Sequence, residues 1–153
     1  MEKILISSCL LGQPVRYDGQ SKPLAQNIIQ TWQQQGRLVN ICPEVAGGLS
    51  VPRAPAEYNP TSQKVKTCDG EDVTQAFIEG AHRALTLCLK HGIRYALLKE
   101  SSPSCGSNLV YDGSFSQRKV AGMGITAKLL SDNGIQVFSE ETLDQLISLI
   151  KRE

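Results

Sequence analysis

The chain has 153 residues, 41% of them hydrophobic and 20% charged, which is enough apolar material for a compact core and about the size of one domain. Sixteen basic residues against fifteen acidic leave a formal charge of +1, so a general nucleic-acid-binding surface and a polybasic membrane anchor are excluded and a small substrate is favoured. The five cysteines form no CxxC pair, and their odd number points to reduced thiols or metal ligation instead of a secreted disulfide scaffold.

The N-terminal MEKILISSCLLG is too short and too interrupted for a signal sequence or a membrane span. It reads as the first strand, over residues 3–8, of a cytoplasmic protein, ended by Gly12 and Pro14. Leu24, Ile28, Ile29 and Trp32 recur at helical spacing, which predicts a crossover helix over residues 24–35 with Gly36 as its stop. Residues 38–41 follow as a second strand. Residues 43–60 hold four of the seven prolines and the pair Gly47-Gly48, and are read as a long irregular loop that walls a pocket. Residues 61–72, with the turn-forming Asp69-Gly70, form a small hairpin or excursion.

Asp72 or Thr74 caps the next helix, whose apolar stripe is Val73, Phe77, Ala81, Ala84, Leu85 and Cys88, ending near His91-Gly92. Residues 95–98 make a third strand, followed by the loop SSPSCG; then come a helix over 122–133, a fourth strand over 135–138 and an amphipathic helix over 141–151. Such alternation predicts an α/β fold with a mostly parallel, doubly wound sheet, formed as a single domain over residues 1–153. Strand order is left open.

Cys9, Cys42 and Cys105 each stand just beyond one of the apolar runs. If those runs are neighbouring parallel strands, their carboxyl ends bring the three thiols to one edge of the sheet. Structural zinc normally takes four ligands in local pairs, whereas a [4Fe-4S] cluster takes separate thiolates and can leave one iron without a protein ligand. The wide spacing fits the cluster better, with buried structural thiols as the alternative. Cys88 belongs to the apolar stripe and Cys68 to a turn, so neither joins the set. Glu44 directly follows Cys42-Pro43, where burial and nearby thiolates would raise its pKa into a range useful for proton transfer; pairing with Arg53 or Arg16 is the structural alternative. Ser101, Ser102 and Ser104 surround Pro103 and offer hydroxyls to a substrate or to cluster sulfur. His82 and His91 have structural explanations on their helix. Gly122 and Gly124 could open a helix towards an anion, a weak signal.

The segments SSCLLG with VRYDG, CPEVAGGLSVPRAPAE, GEDVT followed by FIEGA, LKESSPSCGS with YDGSF, and GMGITAKLL span almost the whole chain and resemble the DUF523 family, with its thiouracil desulfidase branch as the closest functional model. The resemblance implies a Rossmann-like α/β domain with its site at the carboxyl ends of the strands. It also implies an oxygen-sensitive [4Fe-4S] cluster on Cys9, Cys42 and Cys105. Glu44 then matches the acid of CPE and Ser102 the first serine of SPSCG, both catalytic, while Ser101, Arg16 and Arg53 contact substrate. The implied activity is non-redox desulfuration of a thiolated nucleobase or similar small thioamide, releasing hydrogen sulfide, with no nucleic-acid polymer and no membrane as partner. An iron–sulfur sensor or sulfur carrier without desulfidase activity is the alternative, and a zinc or ligand-binding α/β domain with structural thiols is a third.

Overall fold

The computed structural model describes residues 2–11, 18, 27–59, 61–100 and 102–151. Within them the chain runs β1 (Ile4–Ser7), α1 (Asn27–Gln34), β2 (Leu38–Ile41), α2 (Pro43–Ala46), β3 (Ala56–Asn59), β4 (Lys64–Thr67), α3 (Thr74–His91), β5 (Tyr95–Leu98), β6 (Leu109–Tyr111), β7 (Lys119–Ala121), α4 (Ile125–Asp132), β8 (Gln136–Ser139) and α5 (Leu143–Lys151). Four strands form one sheet in the order β2-β1-β5-β8, and every pairing in it is parallel. Ile4 lies opposite Leu38 on one side and Tyr95 on the other.

Parallel strands covered on both faces carry apolar side chains at successive positions. Ile4, Leu5 and Ile6 accordingly have no exposed surface. Ile4, Ile6 and Leu97 pack with Ile29 and Trp32 of α1 and with Leu146 and Ile150 of α5. Leu5, Ala96 and Leu98 face the opposite way, onto Ala84 and Cys88 of α3 and Ala127 and Leu130 of α4. The sheet is therefore covered by helices on both faces, as the alternation of elements predicts. From β1 the chain goes to β2 on one side and later to β5 on the other. The carboxyl ends of β1 and β5 thus make the kind of switch point at which open α/β sheets bind ligands.

The expected irregular loop over residues 43–60 is in fact partly ordered. It opens with α2, which has Pro43 at its first position, where the missing N–H and fixed φ of proline are tolerated. It closes with β3, which pairs antiparallel with β4, so the hairpin expected after residue 61 starts earlier. The antiparallel β6–β7 hairpin is not anticipated by the sequence reading, because three-residue strands carry no usable periodicity. Helix α3 starts at Thr74 with Val73 as its N-cap and no side-chain cap, in place of the expected Asp72 or Thr74; the Asp72 carboxylate instead accepts from the Thr74 N–H at 2.9 Å one residue further out, and the helix ends on Gly92 in the left-handed region at φ 63°. Helix α4 starts three residues later than predicted, since the Gly122 and Gly124 N–H groups donate to the carbonyls of Asn108 and Gly106. The start of the first predicted helix, including Leu24, lies outside the described residues. Among the described residues, no helix is long and apolar enough to cross a membrane.

Candidate active site at the strand ends

Cys9, Cys42 and Cys105 follow β1, β2 and β5, which are adjacent in the sheet. Cys9 sits in a 3₁₀ turn, Ser8–Leu11, that continues directly from β1. Cys42 stands immediately before α2, and that short helix is pressed against α3 at two glycines. A Cβ on Gly47 would meet the Ala76 carbonyl oxygen at 1.9 Å, and one on Gly80 would meet that of Pro43 at 1.9 Å. Only backbone without side chains permits this approach, and it fixes the direction in which Cys42 and Glu44 leave the sheet.

The loop carrying Cys105 is held from several directions. Glu100, buried at 4% exposure, accepts from the N–H groups of Ser107, Asn108 and Leu109 at 3.0, 3.2 and 3.2 Å and from the Ser107 hydroxyl at 2.7 Å. On the other side, the loop carbonyls cap α4: Pro103 accepts from Ile125, and Ser104 from Thr126 and Ala127. The hydroxyls of Ser104 and Thr126 are 2.7 Å apart and buried. Because these N–H groups already have acceptors, the anion-binding reading of Gly122 and Gly124 does not hold. The Cys105 sulfur accepts from the Ser7 hydroxyl at 3.5 Å, and that hydroxyl accepts from the Lys99 N–H at 3.1 Å.

Burial pushes the Cys105 thiol far up from its ordinary pKa; the Ser7 hydrogen bond opposes the rise, and the nearby Cys42, Glu44 and Cys9 add to it. Cys42 is raised by burial as well, with the N–H groups of Val45 and Glu44 and the charge of Arg53 working against the shift. Thiols raised in this way stay protonated until a metal binds, because coordination removes the thiol proton outright. Among the described residues, no three or more His, Cys, Asp or Glu side chains converge so as to hold a metal ion. The ligands of a cubane cluster stand farther apart than those of a single metal ion, because each thiolate binds its own iron at a separate corner. Three separate thiols lining one cavity suit such a cluster with one iron left open.

Glu44 is raised by burial, while the Arg53 guanidinium and a hydrogen bond from the Ser102 hydroxyl pull it back. The Arg53 Nε and one terminal nitrogen both reach Glu44 Oε1 at 3.2 Å, and the other terminal nitrogen donates to the Ser50 carbonyl at 2.9 Å. Ser102 Oγ also accepts from the N–H groups of Ser104 and Cys105, both at 3.1 Å. With two backbone donors on its oxygen, the hydroxyl proton is left to point at the Glu44 carboxylate.

The thiols and the Glu44 cluster open on one cavity of about 770 Å³. Cys9, Cys42, Cys105, Glu44, Arg53 and Ser102 line it, together as the sequence reading expects. Arg16 and Ser101 lie outside the described residues. Cys68 is exposed, and Cys88 sits in the core, where burial raises its thiol to about 11. Ser7, Glu57, Lys99, Glu100, Tyr111 and Phe115 also line the cavity and were not singled out from the sequence. Each lies within one of the segments quoted above, Ser7 in SSCLLG, Glu57 at the end of CPEVAGGLSVPRAPAE, Lys99 and Glu100 in LKESSPSCGS and Tyr111 and Phe115 in YDGSF, but nothing there sets it apart from its neighbours.

A family model described as 2-thiouracil desulfurase matches residues 4–142. The uncharacterized protein YbbK of Bacillus subtilis (strain 168) is 40% identical over 153 residues, spanning 94% of this chain and 99% of its own. The solved structure of a [4Fe-4S]-dependent thiouracil desulfidase, TudS, is similar over 100% of both chains, with a TM-score of 0.97 and 52% sequence identity.

Proposed function

The chain belongs to the 2-thiouracil desulfurase family, and from that membership we propose that it hydrolyses the carbon–sulfur bond of a thiouracil-like base, giving the oxo-base and hydrogen sulfide. Its likeness to the [4Fe-4S]-dependent desulfidase structure supports the same reading. Cys9, Cys42 and Cys105 hold a [4Fe-4S] cluster. When bound, the cluster supplies a Lewis acid for the thiocarbonyl sulfur at the iron that has no protein ligand.

The surrounding residues handle the water and the protons. Glu44, with its affinity for a proton raised by burial and moderated by Arg53, takes a proton from the water that adds to the thiocarbonyl carbon. That proton and the one still on the added oxygen, released as the new carbonyl forms, both go to the departing sulfur, so one water is consumed, one H₂S leaves and no electron is gained or lost. Ser102 holds the carboxylate through its hydroxyl. Arg53 neutralises Glu44 in the resting site and fixes its position through Oε1. Ser101 and Arg16 complete the substrate contacts in this proposal. The reaction belongs to one domain in the cytoplasm, where thiols stay reduced.

The observation that carries the proposal is the meeting of three thiols from three adjacent strand ends in one cavity, with a carboxylate two residues from one of them. The test is iron and acid-labile sulfide per chain on anaerobically purified or reconstituted protein, alongside H₂S release from 2-thiouracil. We expect iron and sulfide in equal amounts, and both they and turnover should be lost in Cys105→Ser. Zinc, or no metal under anaerobic handling, would overturn the proposal. A loaded cluster without turnover would favour a sensor or carrier.

A further inference from the structure

The proposed chemistry leaves one stretch of the cavity lining without a role. Tyr111, Phe115, Gln117 and Lys119 all come from the β6–β7 hairpin, and all line the cavity. Phe115 keeps 38% of its surface exposed, which is unfavourable for an aromatic ring unless something covers it. Its backbone lies in the left-handed region at φ 57°, as does that of Gln117 at φ 62°, a conformation that L side chains adopt only when their surroundings enforce it.

The enforcement is visible. Glu57 of β3 accepts from the N–H groups of both Gly113 and Phe115, at 3.0 and 3.2 Å. Asp112 accepts from the Ser114 N–H at 2.9 Å, and a Cβ on Gly113 would already come within 3.0 Å of the Asn59 Cβ. The hairpin tip is thus docked on β3 through a carboxylate that itself lines the cavity. Next to it, the Lys119 ammonium lies 5.4 Å from the Tyr111 ring centroid, within reach of a cation–π contact. A tip with two residues in the left-handed region, one internal hydrogen bond and two to Glu57 places Phe115 in the cavity lining.

Planar heterocyclic bases stack on aromatic side chains, and the interaction depends little on the identity of the base. We propose that Phe115 is the platform on which the ring of the thio-base stacks, with Tyr111 beside it, and that Glu57 is the positioning residue that holds the platform. The inference rests on the thiouracil reading and adds to it the residue that selects for a flat ring.

The test compares wild type, Phe115→Ala, Phe115→Leu and Phe115→Tyr at matched iron content. It measures KM and kcat for 2-thiouracil and, by calorimetry, the Kd for uracil. Phe115→Ala raises KM and the uracil Kd together by about tenfold, with kcat changed far less. Phe115→Leu, which keeps bulk without a π face, is also impaired, and Phe115→Tyr restores both constants. Glu57→Gln weakens binding in the same direction by a smaller factor. Unchanged KM and Kd in Phe115→Ala would overturn the inference while leaving the desulfidase reading intact. A wild-type protein with iron but no 2-thiouracil turnover would overturn that reading instead, and the uracil Kd would still report on the stacking.

Discussion

Gly80 of α3 faces the Pro43 carbonyl so closely that a Cβ on it would lie 1.9 Å from the oxygen. Intrinsic helix propensity favours alanine over glycine by about 1 kcal/mol, so Gly80→Ala would stabilise an isolated helix. Here the opposing atom is backbone and cannot rotate away, and overpacking of this kind costs about 1–3 kcal/mol. We predict net destabilisation of Gly80→Ala in urea unfolding, together with reduced iron loading because α2 moves and carries Cys42 with it. Unchanged stability and iron content would show that α2 does not depend on this approach.

Glu44 and its partners Arg53 and Ser102 separate cofactor retention from turnover. Glu44→Gln preserves the size of the side chain and an oxygen that can accept from Arg53, but removes the proton acceptor. It should keep the iron of the wild type while 2-thiouracil turnover falls by about a hundredfold or more. Steady-state kinetics on protein of matched iron content decides this, and near-normal kcat would remove Glu44 from the chemistry.

Glu100 predicts a stability effect that reaches the cavity. Glu100→Ala removes the acceptor of three N–H groups and of the Ser107 hydroxyl, and hydrogen bonds to a charged group contribute about 1.5–3 kcal/mol each, less where the donor can turn to water. The urea midpoint should fall with little change in slope, and the protein should load less iron because the Cys105 loop is no longer pinned. Glu100→Gln, which keeps one acceptor oxygen, should be intermediate in both measurements.

The start of α3 gives a pH prediction. Asp72 is held below its ordinary pKa by the Thr74 hydroxyl and N–H, so its carboxylate contributes stability above the unfolded pKa of about 4 and loses it as pH falls through the lower folded value. Asp72→Asn should therefore melt below wild type at pH 7, and the gap should narrow as the pH drops below about 4. A gap of constant size across that range would mean that the charge is not what matters.

The four parallel strands were readable as apolar runs, and their identical direction was enough to bring Cys9, Cys42 and Cys105 together. Helix α3 was readable from its stripe, because eighteen residues give periodicity room to show. The four residues of α2 and the three of each strand in the β6–β7 hairpin do not. Ser102 was readable as the first serine of SPSCG through the family resemblance, and its hydrogen bond to Glu44 came from the geometry. The roles of Glu57 and Glu100 were not readable for a different reason: each acts on a loop whose docking depends on tertiary contacts, and a carboxylate in sequence does not say which N–H groups it will meet.

The loop that presents Cys105 is shaped by the first turn of α4, through the carbonyls of Pro103 and Ser104. On a ribosome, Cys9 and Cys42 emerge early, but the third thiol takes its place only after the chain has been made through Ala127. A group held by all three thiols thus finds its complete site only once most of the chain is in place, so abundant polypeptide from an expression host does not by itself mean a filled site.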